Sequence, residues 1–137
     1  MVYNKRGDYK FPGGGAHKNE SNEDTLIREV REETGYIVNK VKDKLGIIIE
    51  RKVDTYKENS IFEMISHYYI CEISDNKTVQ QLDDYENALD FKPVWIKIDK
   101  AININEKILK SNNQEKNPWV YRETYALKQI KKYYNNL

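Results

Sequence analysis

Three glutamates carry the chemistry this sequence could perform. Glu29, Glu32 and Glu33 lie in a stretch, residues 21–35, whose pattern is helical. At about 100° per residue they share one face, while Ile27 and Val30 point elsewhere. Carboxylates so placed repel one another unless they are solvated, paired with Arg28 and Arg31, or bridged by cations. Oxygen-only donors on a rigid scaffold suit Mg²⁺ or Mn²⁺ and not the nitrogen and sulfur sets preferred by zinc. The chemistry to expect is therefore phosphate chemistry. An acidic helix face alone is usually just a solvated one, but Pro12-Gly13-Gly14-Gly15 precedes this one. Glycine enters backbone conformations that other residues adopt only with strain, so the loop can turn sharply and bring backbone groups close to a ligand. Loop, helix start and acidic face together make a compact site where a metal could neutralise phosphate charge.

That face must be positioned by elements on either side. Val2-Tyr3 reads as a short strand, residues 5–8 as a turn, and Tyr9-Lys10-Phe11 as the entry to the glycine loop. In the helix, Ser21 or Asn22 caps the start, Glu23 and Asp24 suit its positive end, and Gly35 stops it. Residues 45–49 and 61–73 read as strands, the second with Phe62, Met64, Tyr68 and Ile70 in alternation. A polar connector, 74–90, contains Asp83-Asp84-Tyr85-Glu86-Asn87 and leads to an expected strand over 91–98. A short helix around 99–102 follows, then residues 105–109. Asn117-Pro118 offers an N-cap with proline at the first helical position, opening a terminal helix expected to lie on the sheet. Trp95 and Trp119 are expected in the core.

Composition narrows the classes. With 137 residues the chain fits one domain spanning 1–137. Its 23 Lys+Arg against 22 Asp+Glu leave a formal charge of +1, so no stable nucleic-acid partner is expected. The longest aliphatic run, Ile47-Ile48-Ile49, is far short of the roughly 20 residues that span a bilayer, and no membrane partner is expected. The first ten residues lack an apolar secretory segment, which points to the cytoplasm. Cys71 is the only cysteine, which excludes an intramolecular disulfide; in a strand it reads as a small buried hydrophobe.

The pattern Gly14, five residues, Glu20, seven residues, then Arg28-Glu29-Val30-Arg31-Glu32-Glu33-Thr34-Gly35-Tyr36 resembles the Nudix box over residues 14–36. Tyr36 departs mildly from the aliphatic residue usual at the last position. The preceding Phe11-Pro12-Gly13-Gly14 is similar to the family's entry into its catalytic loop. The resemblance implies an α/β fold, the Nudix-type α/β/α sandwich with a mixed sheet, whose loop-helix-loop holds divalent cations against a diphosphate linkage. It implies Glu29, Glu32 and Glu33 as metal ligands with the Gly14 carbonyl, Arg28 as the residue orienting the acidic cluster, and Glu20 as a loop-stabilising partner. It also points to Glu86 as a further carboxylate brought to the site, with Glu32 or Glu29 as alternatives for deprotonating water. Mg²⁺ is the implied cofactor, with Mn²⁺ able to substitute, and the implied partner is a small nucleotide.

The implied activity is hydrolysis of a diphosphate linkage in a nucleoside diphosphate derivative or nucleoside triphosphate. The alternatives are a catalytically silent nucleotide-binding module and an RNA 5′-pyrophosphohydrolase. Related folds begin with more strand material than the 13 residues that precede Gly14 here, so a fold shortened at the N-terminus is expected. An exposed sheet edge would then be compensated by a second copy, as a homodimer, or by local rearrangement.

Overall fold

The computed structural model describes residues 1–112 and 115–136. Two short strands, β1 (Val2–Tyr3) and β2 (Tyr9–Lys10), flank a tight turn and lead through the glycine loop into helix α1 (Asn22–Thr34). The Ser21 side chain accepts the Asp24 N–H at 3.0 Å, and the helix ends at Gly35 with φ 76°. A Cβ at Gly35 would lie 2.2 Å from the Thr78 carbonyl oxygen, so both the left-handed turn and the close approach require glycine here.

Strands β3 (Tyr36–Val53) and β4 (Ile61–Lys77) form an antiparallel hairpin much longer than the apolar runs at 45–49 and 61–73 suggest. Its register slips repeatedly between Tyr36 and Gly46 and is regular from Ile47↔His67 to Val53↔Ile61. Much of the added length is polar and exposed residues held by backbone pairing, with apolar residues such as Ile37, Val38 and Val41 too interrupted by charge to read as a strand. Helix α2 (Asp84–Ala88) follows inside what reads as a polar connector. Strand β5 is only Lys92–Pro93, not the whole of 91–98. Pro93 has no N–H to donate; Val94 makes the last exchange, with Met1, and helix α3 (Ile98–Lys110) has begun by Ile98. Trp95, expected in the core, is 78% exposed, with its indole N–H donated to the Tyr36 hydroxyl.

Helix α4 (Val120–Asn135) packs on α3 and against β2 and β3. Its N-cap position is Trp119, which makes no side-chain cap, because Asn117 is spent elsewhere. The Asn117 carboxamide accepts from Arg6 and donates to Asn4 and Asp8.

All pairings among the described strands are antiparallel, in two sheets of order β2-β1-β5 and β3-β4, where one mixed sheet was expected. The result is a mixed α/β fold. One apolar cluster joins Val2, Leu89 and Phe91; another joins Ala101, Ile102 and Leu127 with Tyr9 and Phe11. The edge of β2 facing away from β1 is closed by side chains. Asn105 accepts the Tyr9 N–H and donates to the Tyr9 carbonyl, both at 2.9 Å, and Glu123 accepts the Phe11 N–H at 2.8 Å. These bonds satisfy backbone groups that an open edge would leave bare. Among the described residues, no helix is long and apolar enough to cross a membrane.

Candidate metal centre

Strand alternation sends Tyr9 and Phe11 into the cluster under α3 and Lys10 to the opposite face, where it meets α1. The Lys10 side chain is 7% exposed, and its ammonium lies 2.5 Å from Glu33 Oε1. It also donates to the Gly13 carbonyl at 3.2 Å and stands 5.1 Å from the centre of the Phe91 ring and 5.9 Å from that of Trp119. The other Glu33 oxygen accepts the Gly13 N–H at 3.1 Å. Burial pushes the Glu33 carboxyl up to about 7, with the Lys10 ammonium and the Gly13 N–H opposing and the charge of Glu86 adding to the rise.

The helix face delivers Glu29 beside Glu33, and both are buried. Glu86 arrives from α2, where it stands at the third helical position of a capping box with Asp83. One Glu86 oxygen accepts the Asp83 N–H at 2.9 Å, and burial raises this carboxyl also. One oxygen each from Glu29, Glu33 and Glu86 lies within 4.8 Å of the others. Gly14 lies against this trio: a Cβ there would come within 2.6 Å of Glu29 Oε1. With a Cβ at Gly14 the Glu29 carboxylate would have to shift from its present place.

Arg28 ties the rest together. Its guanidinium holds Glu20 through Nε at 2.8 Å and Nη2 at 2.9 Å, Glu29 at 2.6 Å, Glu32 at 3.0 Å and the Gly15 carbonyl at 3.0 Å. Glu20 also accepts from the His17 N–H and the Thr25 hydroxyl. These bonds, Arg28 first, lower its carboxyl to about 2. The arrangement orients the Glu29 carboxylate from one side and pins the loop from the other. Glu32 is the sequence-derived ligand that stands apart: its side chain is half-exposed on Arg28 and outside the trio. His17 is exposed and offers the site only its backbone.

The donor set fits a hard divalent cation, since all three side chains give carboxylate oxygen and, among the described residues, no nitrogen or sulfur ligand joins them. A cavity of about 910 Å³ opens from Lys10, Glu33 and Glu86 toward Tyr85, Trp119 and Arg122. That volume suits a small-molecule ligand. Sequence reasoning missed Lys10. The signal was available in the alternation of Tyr9, Lys10 and Phe11, which places one charged side chain opposite two apolar ones.

The model of the NUDIX domain family matches this chain over residues 3–120. Comparison with curated proteins found no match, and comparison with solved structures found none.

Proposed function

The chain belongs to the NUDIX domain family, and on that premise we propose that it is a divalent-metal-dependent pyrophosphohydrolase. Its substrate is a nucleoside diphosphate derivative or a nucleoside triphosphate. The observation that carries this reading is the convergence of Glu29, Glu33 and Glu86, two of which, Glu33 and Glu86, line a ligand-sized cavity. The packing of α1 on β3 and β5, and of α3 on α4 and β2, supports an α/β/α layering around that cavity.

Glu29, Glu33 and Glu86 would hold Mg²⁺, or Mn²⁺ in its place, with the Gly14 carbonyl as a further ligand. A bound cation neutralises phosphoryl oxygens and lowers the pKa of water at the site. Glu32 would join the set if its bond to Arg28 opened, and Arg28 holds the Glu29 carboxylate in place beside Glu33. Glu29 or Glu32 accepts the proton of the attacking water. Water adds to phosphorus, the anhydride P–O bond breaks, and two phosphate-bearing products leave. The buried position of Glu33 and Glu29 limits the water around the reacting centre.

A panel of nucleoside triphosphates, ADP-ribose, dinucleoside polyphosphates and capped RNA, with product masses recorded in Mg²⁺ and in Mn²⁺, tests this reading. Turnover is expected only with metal. Glu29→Gln and Glu33→Gln should each lower it by at least about 100-fold, and Glu86→Gln by at least about tenfold, with unchanged circular dichroism. A folded protein that turns over nothing on the panel with either metal overturns the proposal.

A further inference from the structure

Lys10 is a buried cation on Glu33, inside the carboxylate cluster that Arg28 meets at Glu29, and its charge needs a reason. Burying an ammonium is costly unless close partners compensate. Here those partners are Glu33 Oε1, the Gly13 carbonyl and the faces of Phe91 and Trp119. The oxygen that Lys10 holds belongs to a carboxylate of the metal-ligating trio. An ammonium 2.5 Å from Oε1 and a divalent ion held on the same carboxylate repel each other at such range, so a bound ion weakens the hold of Lys10 on Glu33.

We propose that Lys10 is a charge-exchange residue: it satisfies Glu33 in the metal-free protein, releases that carboxylate when a divalent cation binds, and then takes a phosphate oxygen of the substrate. The inference rests on the metal-dependent reading above and assigns a role to a residue outside its ligand set. The backbone of Lys10 is fixed, because β2 is paired with β1 on one edge and closed by Asn105 on the other. Only the flexible four-carbon stem can move. Lys10 and Glu86 line the same cavity, so an ammonium leaving Glu33 enters the space a phosphate must occupy to reach the trio. The exchange also sets an order. Before metal binds, the cavity end is acidic and repels phosphate; afterwards it carries both the ion and a free ammonium. Metal then binds first and phosphate second.

The test uses the wild-type chain first. Lys10 acetylation is followed by mass spectrometry at a fixed pH of about 8.5, with the exposed lysines as internal reference. It should be slow in the metal-free protein, rise at least about fivefold with saturating Mn²⁺, and fall again on adding methylenediphosphonate, whose P–C–P link resists hydrolysis. Calorimetry on Lys10→Met, checked for folding by circular dichroism, should show Mn²⁺ bound at least about fivefold more tightly. Methylenediphosphonate should bind the Mn²⁺-loaded variant at least about tenfold more weakly than it binds the loaded wild type. A residue that merely shapes Glu33 gives the opposite sign, weaker Mn²⁺ binding in the variant, and that result overturns the proposal. Lys10 acetylation unchanged while Mn²⁺ is bound overturns it too and leaves the metal reading standing. No Mn²⁺ binding to the wild type overturns both, and if Lys10→Met does not fold, the wild-type labelling decides.

Discussion

Around Glu33 the side chains are held by side-chain partners from other elements, whereas beyond Gly46 the β3–β4 hairpin is held mainly by its own ladder, with Arg122 of α4 reaching Glu50. Lys10 reaches Glu33, Arg28 reaches Glu20 and the Gly15 carbonyl, and Asn117 reaches back to Asn4 and Asp8. In the outer hairpin Ile47, Ile49, Val53, Ile61 and Ile65 fall on one face by alternation and are 46–77% exposed. The two regions should therefore answer substitution differently. Where charged and polar groups are buried together, removing one leaves its partners desolvated and unmatched. Where side chains already stand in water, removing one changes little.

The strongest way to break this contrast is Asp8→Ala. Asp8 is fully buried and accepts from Asn4 and Trp119 at one oxygen and from Asn117 at the other. These bonds tie the turn between β1 and β2 to the start of α4 and hold Trp119 beside Lys10. A loss of about 3 kcal/mol in denaturant unfolding is expected, since several buried donors lose their acceptor together. A loss below about 1 kcal/mol would place this network with the hairpin in its indifference to substitution.

A smaller effect follows from Glu33 and pH. Its carboxyl is raised from 4.5 to about 7 in the folded chain, so the folded state binds more protons in that window. The stability Glu33 contributes is present below about 4.5 and is lost as pH rises through about 7. Glu20 has the opposite sign: lowered to about 2, it contributes above 4.5 and loses that contribution as the pH falls through 2. Denaturant midpoints of the metal-free protein should thus decline between pH 5 and pH 8, and Glu33→Gln should flatten the decline. An undiminished decline in the variant would assign it to other groups.

The smallest effect is expected in the hairpin. Val53→Thr keeps the branched shape at a position 77% exposed and should change unfolding free energy by no more than about 0.5 kcal/mol. A loss above about 1 kcal/mol, with a change in light scattering on substitution, would show that the apolar face is covered in solution, and the contrast would then need a second copy of the chain to explain it.

The legible parts of this molecule are those where a residue's role depends on its near neighbours. Ser21 and Gly35 bound α1 as their types require, and the spacing of Glu29 and Glu33 puts them side by side because helical periodicity is local. The metal-type donor set and the glycine approach were readable for the same reason. Tertiary structure decided the rest. Arg28 meets Glu32 one helical turn away, a pairing the spacing allows, but its hold on Glu20 and the Gly15 carbonyl comes from the loop folding back on α1. Glu86 enters the site through a helix whose capping box closes inside a polar stretch without apolar periodicity. Asn117 looks like a helix cap and instead joins Asp8, and Lys10 looks like a surface charge and instead lies buried on Glu33. Each of these outcomes depends on which buried charge or donor finds a partner across the fold. Desolvation makes such pairing obligatory in the folded chain, and a local pattern places a residue on a face without naming the partner it meets there.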